Sequence, residues 1–293
     1  MPFKLERGSL SKQLRRLVRK ELEAAIEALS PGAPRVHDAR KHIKKTRAIV
    51  KLLRRPLGKR YAKEDGRLRA AGGGLSQLRD AEVMLETFTA LQKEFPTVIT
   101  PSIGEKVIRA LRRDRRKAQV HARVRSRQTL GLLKRSHAAL PRRVGEVSGF
   151  RVARRGLTRA FVRSKVTLAT LTSESCGDDF HAWRRRVKAH WYHVRLFASR
   201  QPAIQARARK LKALQAALGD DHNLALLGET LLEHPDGFGA RTTAVVLGCI
   251  QKRQHVLRRH ALASGRRLFA SKPDAADAVV NRWREAQEIE KAR

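Results

Sequence analysis

The chain carries 65 Lys and Arg residues against 27 Asp and Glu among its 293 residues, and this formal net charge of +38 indicates an anionic partner. Residues 1–147 hold 37 of the basic and 14 of the acidic residues, so both halves share the excess. Two cysteines exclude a disulfide framework, and the lack of a long apolar run excludes membrane insertion, which together predict a cytoplasmic protein.

Proline and glycine interrupt stretches whose apolar residues recur every three or four positions, and no stretch alternates with a period of two. The sequence therefore predicts an all-α fold. The breaks fall at 30–34, 55–58, 94–102, 141–150, 233–239 and 271–274. The break at 141–150 predicts two units, residues 1–147 and 148–293. Each would have about four helices, and a last amphipathic segment would start at Asp274.

A helix over residues 36–53 would have an apolar face and a basic stripe beside it. The apolar face would contain Val36, Ala39, Ile43, Val50 and Leu53. The stripe would contain His37, Arg40, Lys44 and Lys51, with Lys41 and Arg47 at its margins. Like charges one turn apart repel, so the stripe predicts a bound anion that offsets the repulsion. The alternative is a solvated face that pairs with acids of neighbouring helices.

The same pattern returns 144 positions later, over residues 180–197. The matching stripe contains His181, Arg184, Lys188 and Arg195, beside an apolar face of Phe180, Trp183, Val187, Val194 and Phe197. Asp80 and Asp220 then follow at matched places and are expected to orient stripe cations by ion pairing. Two motifs in the same order predict a duplicated helical bundle and not a solenoid.

Each stripe would span about 16 Å of helix, which suits an extended anion better than a single phosphate. Asp178 or Asp179 is predicted to cap the second helix, and the prolines at 31 and 34 are predicted to stop the first helix from extending backwards. Both histidines would then lie in a first turn, where backbone N–H groups attract phosphate oxygens. The alternative for each is a buried or capping histidine. Other cations at helical spacing predict a supporting wall, although any of them could be merely solvated. They are Arg15, Arg19, Arg112, Arg116, Arg159, Arg163 and Arg253.

A His-x-x-Arg-(Arg/Lys)-x-x-Lys helix followed by a Leu-x-Asp-type helix, present twice, resembles the CHAD domain family. The resemblance runs from about Ser9 to Trp283. It implies two pseudo-symmetric four-helix bundles around a basic central groove that binds inorganic polyphosphate, often at polyphosphate granules. By position, the family's binding residues match His37, Arg40, Lys41, Lys44, Arg79, His181, Arg184, Arg185 and Lys188. Gly219 stands opposite Arg79 and Trp191 opposite Arg47, so unequal halves are expected.

Two other classes of function compete with polyphosphate binding. Non-specific nucleic-acid binding shares its electrostatics, but aromatic residues are only 5% of the chain, and Trp183 and Trp191 are predicted to face the core. Phosphoryl transfer would need metal-binding carboxylates or a P-loop, and the glycines of 70–77 lack the P-loop ending. His190 and His193 have no third metal ligand. The expectation is a non-catalytic binder without a metal or cofactor, whose protein partners are unknown.

Overall fold

The computed structural model describes residues 3–6, 8–30, 34–199, 201–233, 235–271 and 274–289. All regular elements in these ranges are helices, which confirms the all-α prediction. The helices are α1 (Leu10–Glu27), α2 (Val36–Leu52), α3 (Arg54–Leu57), α4 (Lys59–Gly74), α5 (Ser76–Glu94), α6 (Pro101–Val147), α7 (Phe150–Ala169), α8 (Gly177–Leu196), α9 (Pro202–Glu233), α10 (Pro235–Phe238), α11 (Ala240–Phe269) and α12 (Asp274–Ile289).

The buried apolar residues form two clusters, and helices of both halves contribute to each. The larger cluster joins α1, α2, α4 and the end of α6 to α7, α8, α12, the start of α9 and the end of α11. The smaller one joins α5 and the start of α6 to the end of α9, α10 and the start of α11. The division after residue 147 falls at the end of α6. That division, the internal duplication and the central groove stay predictions.

The apolar faces of α2 and α8 are buried as the helical period predicts. Val36, Ala39, Ile43, Val50 and Leu53 are all buried. Their counterparts Phe180, Trp183, Val187, Val194 and Phe197 are also buried. Because these faces are fixed in the core, the neighbouring basic stripes are held at the edge of the core.

The turn between α6 and α7 lies within the predicted break at 141–150, at its C-terminal end. α6 continues through Pro141 and ends at Val147, and the chain turns at Ser148 and Gly149. The turn after Pro141 is packed against α1, with Leu140 and Val144 buried, and this packing holds the helix together where Pro141 removes a backbone donor. With 47 residues, α6 is about 70 Å long and reaches both clusters.

Helix α7 crosses the end of α2 at very close range. A Cβ added to Gly156 would lie 2.2 Å from the backbone oxygen of Leu52, so only glycine permits this crossing. Arg159, almost one turn further along α7, donates from Nη2 to the carbonyl oxygens of Lys51 and Leu52 at 3.4 and 3.3 Å. The side chain of Arg159 thus satisfies carbonyls that the end of α2 leaves without a helical partner. This crossing sets the distance between α2 and α7.

We expect Gly156→Ala to destabilise the protein by about 2–3 kcal/mol, because the added methyl group would collide with backbone that cannot move without separating two helices. Urea unfolding monitored by circular dichroism measures this. Gly66→Ala is the matched control. Gly66 also lies inside a helix, α4, but a Cβ there meets nothing within 4 Å. The control should gain up to about 1 kcal/mol from helix propensity. Equal changes in the two variants would show that the crossing is not tight.

Candidate functional site

A cavity of about 630 Å³ opens between α2, α4, α7 and α8. Asp65 is the one acidic residue among the described residues that line it. The ten basic residues that line it are Lys44, Arg47, Lys51, Arg54, Arg69, Arg159, Arg163, Arg185, Arg186 and Lys188. Because ten cations surround a space with one carboxylate, the cavity has a strongly positive potential and favours an anion.

Lys44 of α2 and Lys188 of α8 approach each other across the cavity. Burial among protein atoms, followed by the charges of Arg40 and Arg184, lowers the pKa of Lys44 to about 8. Burial, followed by the charges of Lys44 and Arg184, lowers the pKa of Lys188 to about 7. Lys44 is still reached by solvent along the cavity. No carboxylate in the described part of the chain forms an ion pair with either amine, so their repulsion is not neutralised.

Arg40 and Arg184 lie one turn before these lysines on their helices. The Nη1 of Arg40 donates to the carbonyl oxygen of Gly72 at 2.7 Å, and its Nη2 lies 3.9 Å from Asp80, as the sequence predicts for that acid. Burial lowers the pKa of Arg184, while the charge of Asp220 opposes the change. The Nε atoms of both arginines are buried, and no described residue accepts a hydrogen bond from them. Buried donors at matched positions suit an anionic acceptor.

The opposite wall is organised by Asp65 of α4. Arg47 donates from Nε to Asp65 at 2.9 Å, and Arg69 donates from Nη2 to its other carboxylate oxygen at 3.3 Å. Burial alone would raise the pKa of Asp65, but the hydrogen bond and charge of Arg47 outweigh it and lower the pKa. Asp65 therefore stays ionised and holds two arginines at the rim. Lys51 lines the cavity beside this pair.

The two repeated histidines lie in different surroundings. His37 is exposed and is the second residue of α2. His181 is the fifth residue of α8, and its Nδ1 lies 2.8 Å from the Nδ1 of His222, so one ring donates to the other. Burial, then Arg185 and Arg184, lowers the pKa of His181. Burial, then Arg184, lowers the pKa of His222 to about 3. The pair is neutral at pH 7 and contributes hydrogen bonds, not charge.

The predicted aspartate cap of α8 is wrong. The helix begins at Gly177 with Cys176 as its N-cap, and no side chain makes a capping hydrogen bond. Asp178 and Asp179 lie inside the first turn, where Asp179 accepts from the Sγ of Cys176 at 3.2 Å. The extra helical residues move His181 into the second turn, away from the free N–H groups of the helix start.

Several predicted site residues do not line the cavity. Lys41 is exposed and pairs with Asp38 at 3.5 Å. Arg79 is partly buried and donates to Glu86 at 3.1 Å and Glu82 at 3.3 Å. It still influences the cavity, because its charge helps to lower the pKa of Lys44. Its two carboxylate partners neutralise much of its positive charge, which leaves little of that charge to attract an anion.

The remaining cations of the predicted wall lie outside the cavity lining as well. Arg15 and Arg19 are exposed on α1, where Arg19 pairs with Glu23 at 3.8 Å. Arg253 of α11 pairs with Glu94 of α5 at 3.1 Å. Arg112 and Arg116 are exposed on α6. Among the predicted wall residues, only Arg159 and Arg163 line the cavity.

Arg195 does not repeat the surroundings of Lys51, although the two match in the sequence repeat. Its guanidinium lies over the rings of Phe3 and Trp191, 5.9 and 5.4 Å from their centroids. The segment before α1 brings Phe3 to this place, because the backbone N–H of Leu5 donates to the carbonyl oxygen of Leu196 at 2.7 Å. The guanidinium of Arg195 therefore makes cation–π contacts with these two rings and does not line the cavity.

The sequence analysis missed further residues of the site, among them Arg54, Tyr61, Asp65, Arg69, Arg186 and His222. Tyr61, Asp65 and Arg69 are spaced four apart, which places them on one face of α4, and this signal was available in the sequence. Arg186 follows the repeated arginines directly. His222 has no histidine at the matched position of the first half, so the search for repeats could not find it.

His190 and His193 belong to the core. His190 is fully buried against Phe161 and Phe269, and burial lowers its pKa well below the ordinary value. His193 donates from Nε2 to the carbonyl oxygen of Ala48 at 2.9 Å, and burial lowers its pKa to about 4. Within the described ranges, no group of three or more His, Cys, Asp and Glu residues has metal-site geometry. His193 therefore links α8 to α2 by a hydrogen bond, and His190 fills space in the core.

The family model of the CHAD domain matches residues 8–232. The chain belongs to the CHAD domain family. Its fold is similar to the crystal structure of the CHAD domain from the plant Ricinus communis, with a TM-score of 0.63, 17% sequence identity and coverage of 96% of each chain. No curated protein matches the chain by sequence. None of the helices described in this CHAD protein is long and apolar enough to cross a membrane.

Proposed function

We propose that this CHAD protein binds inorganic polyphosphate, without catalysis, in the cavity between α2, α4, α7 and α8. One observation carries the proposal: ten basic side chains surround the cavity, and its one carboxylate, Asp65, is already held by two of them. The CHAD family is generally associated with polyphosphate, which agrees with this charge pattern.

A linear polyanion fits the arrangement better than a single small anion. The cations that line the cavity follow α2 from Lys44 to Lys51 and α8 from Arg185 to Lys188. One turn before the two lysines, Arg40 and Arg184 continue the stripes outside the lining. Successive phosphates of one chain can contact successive turns, and each contact with Lys or Arg releases a counterion. The cavity is half open, and its walls shield the lining cations from part of the solvent, so charge-assisted hydrogen bonds are stronger there than at a flat surface.

Binding without turnover is favoured by the composition of the cavity. Phosphoryl transfer uses carboxylates that hold metal ions beside the phosphates. Here the one lining carboxylate is paired with Arg47 and Arg69, and no other acid of the described residues lines the cavity. Retention of polyphosphate at granules is the role we propose for this binding.

Non-specific nucleic-acid binding is the second candidate, because its electrostatic contribution is the same. Bases would require exposed aromatic rings for stacking. Trp183 is fully buried, and the ring of Trp191 is covered by Arg195 and packed on Tyr192. A duplex is also stiffer and wider than a polyphosphate chain, so it fits a half-open cavity of about 630 Å³ less well.

The test is competition between long-chain polyphosphate and duplex DNA for the full chain, at several salt concentrations including about 150 mM. Polyphosphate should displace the duplex at equal phosphate concentration, and its affinity should fall steeply with salt because many counterions are released. The proposal fails if duplex DNA binds as tightly as polyphosphate at about 150 mM salt. Release of shorter phosphates on prolonged incubation would contradict the non-catalytic part.

A further inference from the structure

Lys188 is an amine without an acidic partner inside a cavity built from cations. Its closest charged neighbours are Lys44, Arg184 and Arg40. Lys45 provides a contrast on the same helix as Lys44. It is also buried, but its Nζ donates to both carboxylate oxygens of Glu21 at 2.9 and 3.0 Å. Lys45 therefore has a carboxylate beside its amine, whereas burial and neighbouring cations lower the pKa of Lys188 and Lys44.

A destabilised ammonium group makes the neutral amine available near neutral pH. With a pKa of about 7, more than half of Lys188 is unprotonated at pH 7.5, whereas an ordinary lysine with a pKa near 10.4 is almost wholly protonated. Lysines next to other cations become nucleophiles for this reason. The cavity admits solvent and small molecules to the amine, because Lys188 and the exposed Lys44 both line it.

A place for a phosphate group lies beside the amine, at two arginines that are outside the cavity lining but close enough for their charges to act on Lys188. Arg184 precedes Lys188 by four residues on α8, and Arg40 precedes Lys44 by four on α2, so each arginine lies about 6 Å along the helix axis from a lysine. The Nε atoms of both arginines are buried donors without an acceptor among the described residues. A small molecule held by its phosphate at the arginines would place its other end near a lysine amine.

We propose that the cavity and the two arginines beside it form a lysine-acylation site for small acyl phosphates, in which Arg184 and Arg40 bind the phosphate group and Lys188 accepts the acyl group. Lys44 is the second acceptor. The inference rests on the proposed affinity of the cavity for phosphate anions. It adds a covalent modification that polyphosphate binding does not require.

The step balances without any other reactant. The lone pair of the Lys188 Nζ attacks the carbonyl carbon, and a C–N bond forms. The bond between the acyl carbon and the phosphate oxygen breaks, and phosphate leaves with the electron pair at Arg184 and Arg40. The proton lost from nitrogen goes to the leaving phosphate or to water. The products are an amide on Lys188 and inorganic phosphate, so the cavity loses one titratable amine and its positive charge.

The probe is acetyl phosphate, added to the full chain at pH 7.5, with acetylation at each lysine followed over time by peptide mass spectrometry. We expect Lys188 to react at least about tenfold faster than the exposed Lys12 and Lys210, despite its lower exposure. Lys45 should stay unmodified. A parallel reaction with N-acetoxysuccinimide, which has no phosphate, should give a smaller ratio of Lys188 to Lys12. The inference is overturned if the labelling rate of each lysine simply follows its exposure. It is also overturned if both reagents give the same ratio of Lys188 to Lys12 labelling.

The same samples separate this inference from the proposed function. Polyphosphate affinity is measured on the untreated protein, and polyphosphate is then added before acetyl phosphate. If the proposed function holds, polyphosphate protects Lys188 and leaves Lys12 unchanged. If polyphosphate neither binds nor protects while acetyl phosphate still labels Lys188 selectively, the proposed function fails and the acylation site stands. Tight polyphosphate binding with unselective labelling retains the proposed function and rejects the acylation site.

Discussion

Replacing Lys44 and Lys188 together by Gln should weaken polyphosphate binding by at least about 100-fold at a fixed ionic strength. Each lysine offers a charge-assisted contact of about 1.5–3 kcal/mol in a space that water enters only partly. The slope of log affinity against log salt should also fall in magnitude, by about 1.4 for two lost contacts with a flexible polyanion. Fluorescence titration with end-labelled polyphosphate at four salt concentrations gives both quantities.

The matched control for net charge is the pair Arg282→Gln and Arg284→Gln on α12, both exposed and outside the lining of the cavity. The control should change affinity by less than about threefold, because it alters only the long-range field. Equal losses in the two double variants would mean that polyphosphate is held by the overall charge of +38 and not by the cavity.

Glutamine at Lys44 and Lys188 is a cleaner choice than a reversed charge at Arg40. Arg40 donates to the carbonyl oxygen of Gly72 and lies near Asp80, so its replacement would disturb the packing of α2 on α4. The two lysines make no such bond, and their removal relieves repulsion between like charges. The double lysine variant should therefore unfold at a higher temperature than the parent protein in the absence of ligand, although it binds less well.

The helical period is the reason why Lys44 and Lys188 could be predicted from the sequence. Apolar residues at three- and four-residue spacing fix which face of α2 and α8 enters the core, and the cations beside that face must then lie at its edge. The sequence repeat predicts, in addition, that the two stripes bind the same anion. Neither argument depends on how the other helices are arranged. The burial of the apolar faces agrees with the first argument, and the shared purpose of the two stripes stays a prediction.

The cavity wall formed by α4 and the contacts of Arg195 depend on tertiary packing. The hydrophobic period of a single helix carries no information about that packing. Arg69 lines the cavity because α4 lies across it and Asp65 aligns the arginines. Arg195 is diverted because Phe3, almost 200 positions earlier in the chain, packs beneath it. A match between repeats assumes that both copies have the same neighbours, and these long-range contacts break that assumption.

Polyphosphate affinity should fall as the pH rises from about 7 to about 10. In the free protein the pKa values are about 8 for Lys44 and about 7 for Lys188, and a bound polyanion raises both by favouring the charged amines. Binding therefore takes up protons in this range, and log affinity falls by up to about one per pH unit for each lysine. Calorimetry in two buffers of different ionisation enthalpy measures the uptake, and the variant with Gln at both positions should show almost none.

Stability of the free protein should change in the opposite direction over the same range. An unfolded lysine has a pKa near 10.4, so between about pH 7 and 10 the unfolded chain binds more protons at Lys44 and Lys188 than the folded protein does. The free energy of unfolding therefore rises between about pH 7 and 10, while polyphosphate affinity falls. Both changes have one cause, because the repulsion between the charged amines destabilises the free folded protein and a bound anion relieves it. Urea unfolding at pH 7 and pH 9.5, compared with the double Gln variant, separates this contribution from other titrating groups. A parent protein whose pH dependence equals that of the variant would show that the two amines titrate normally.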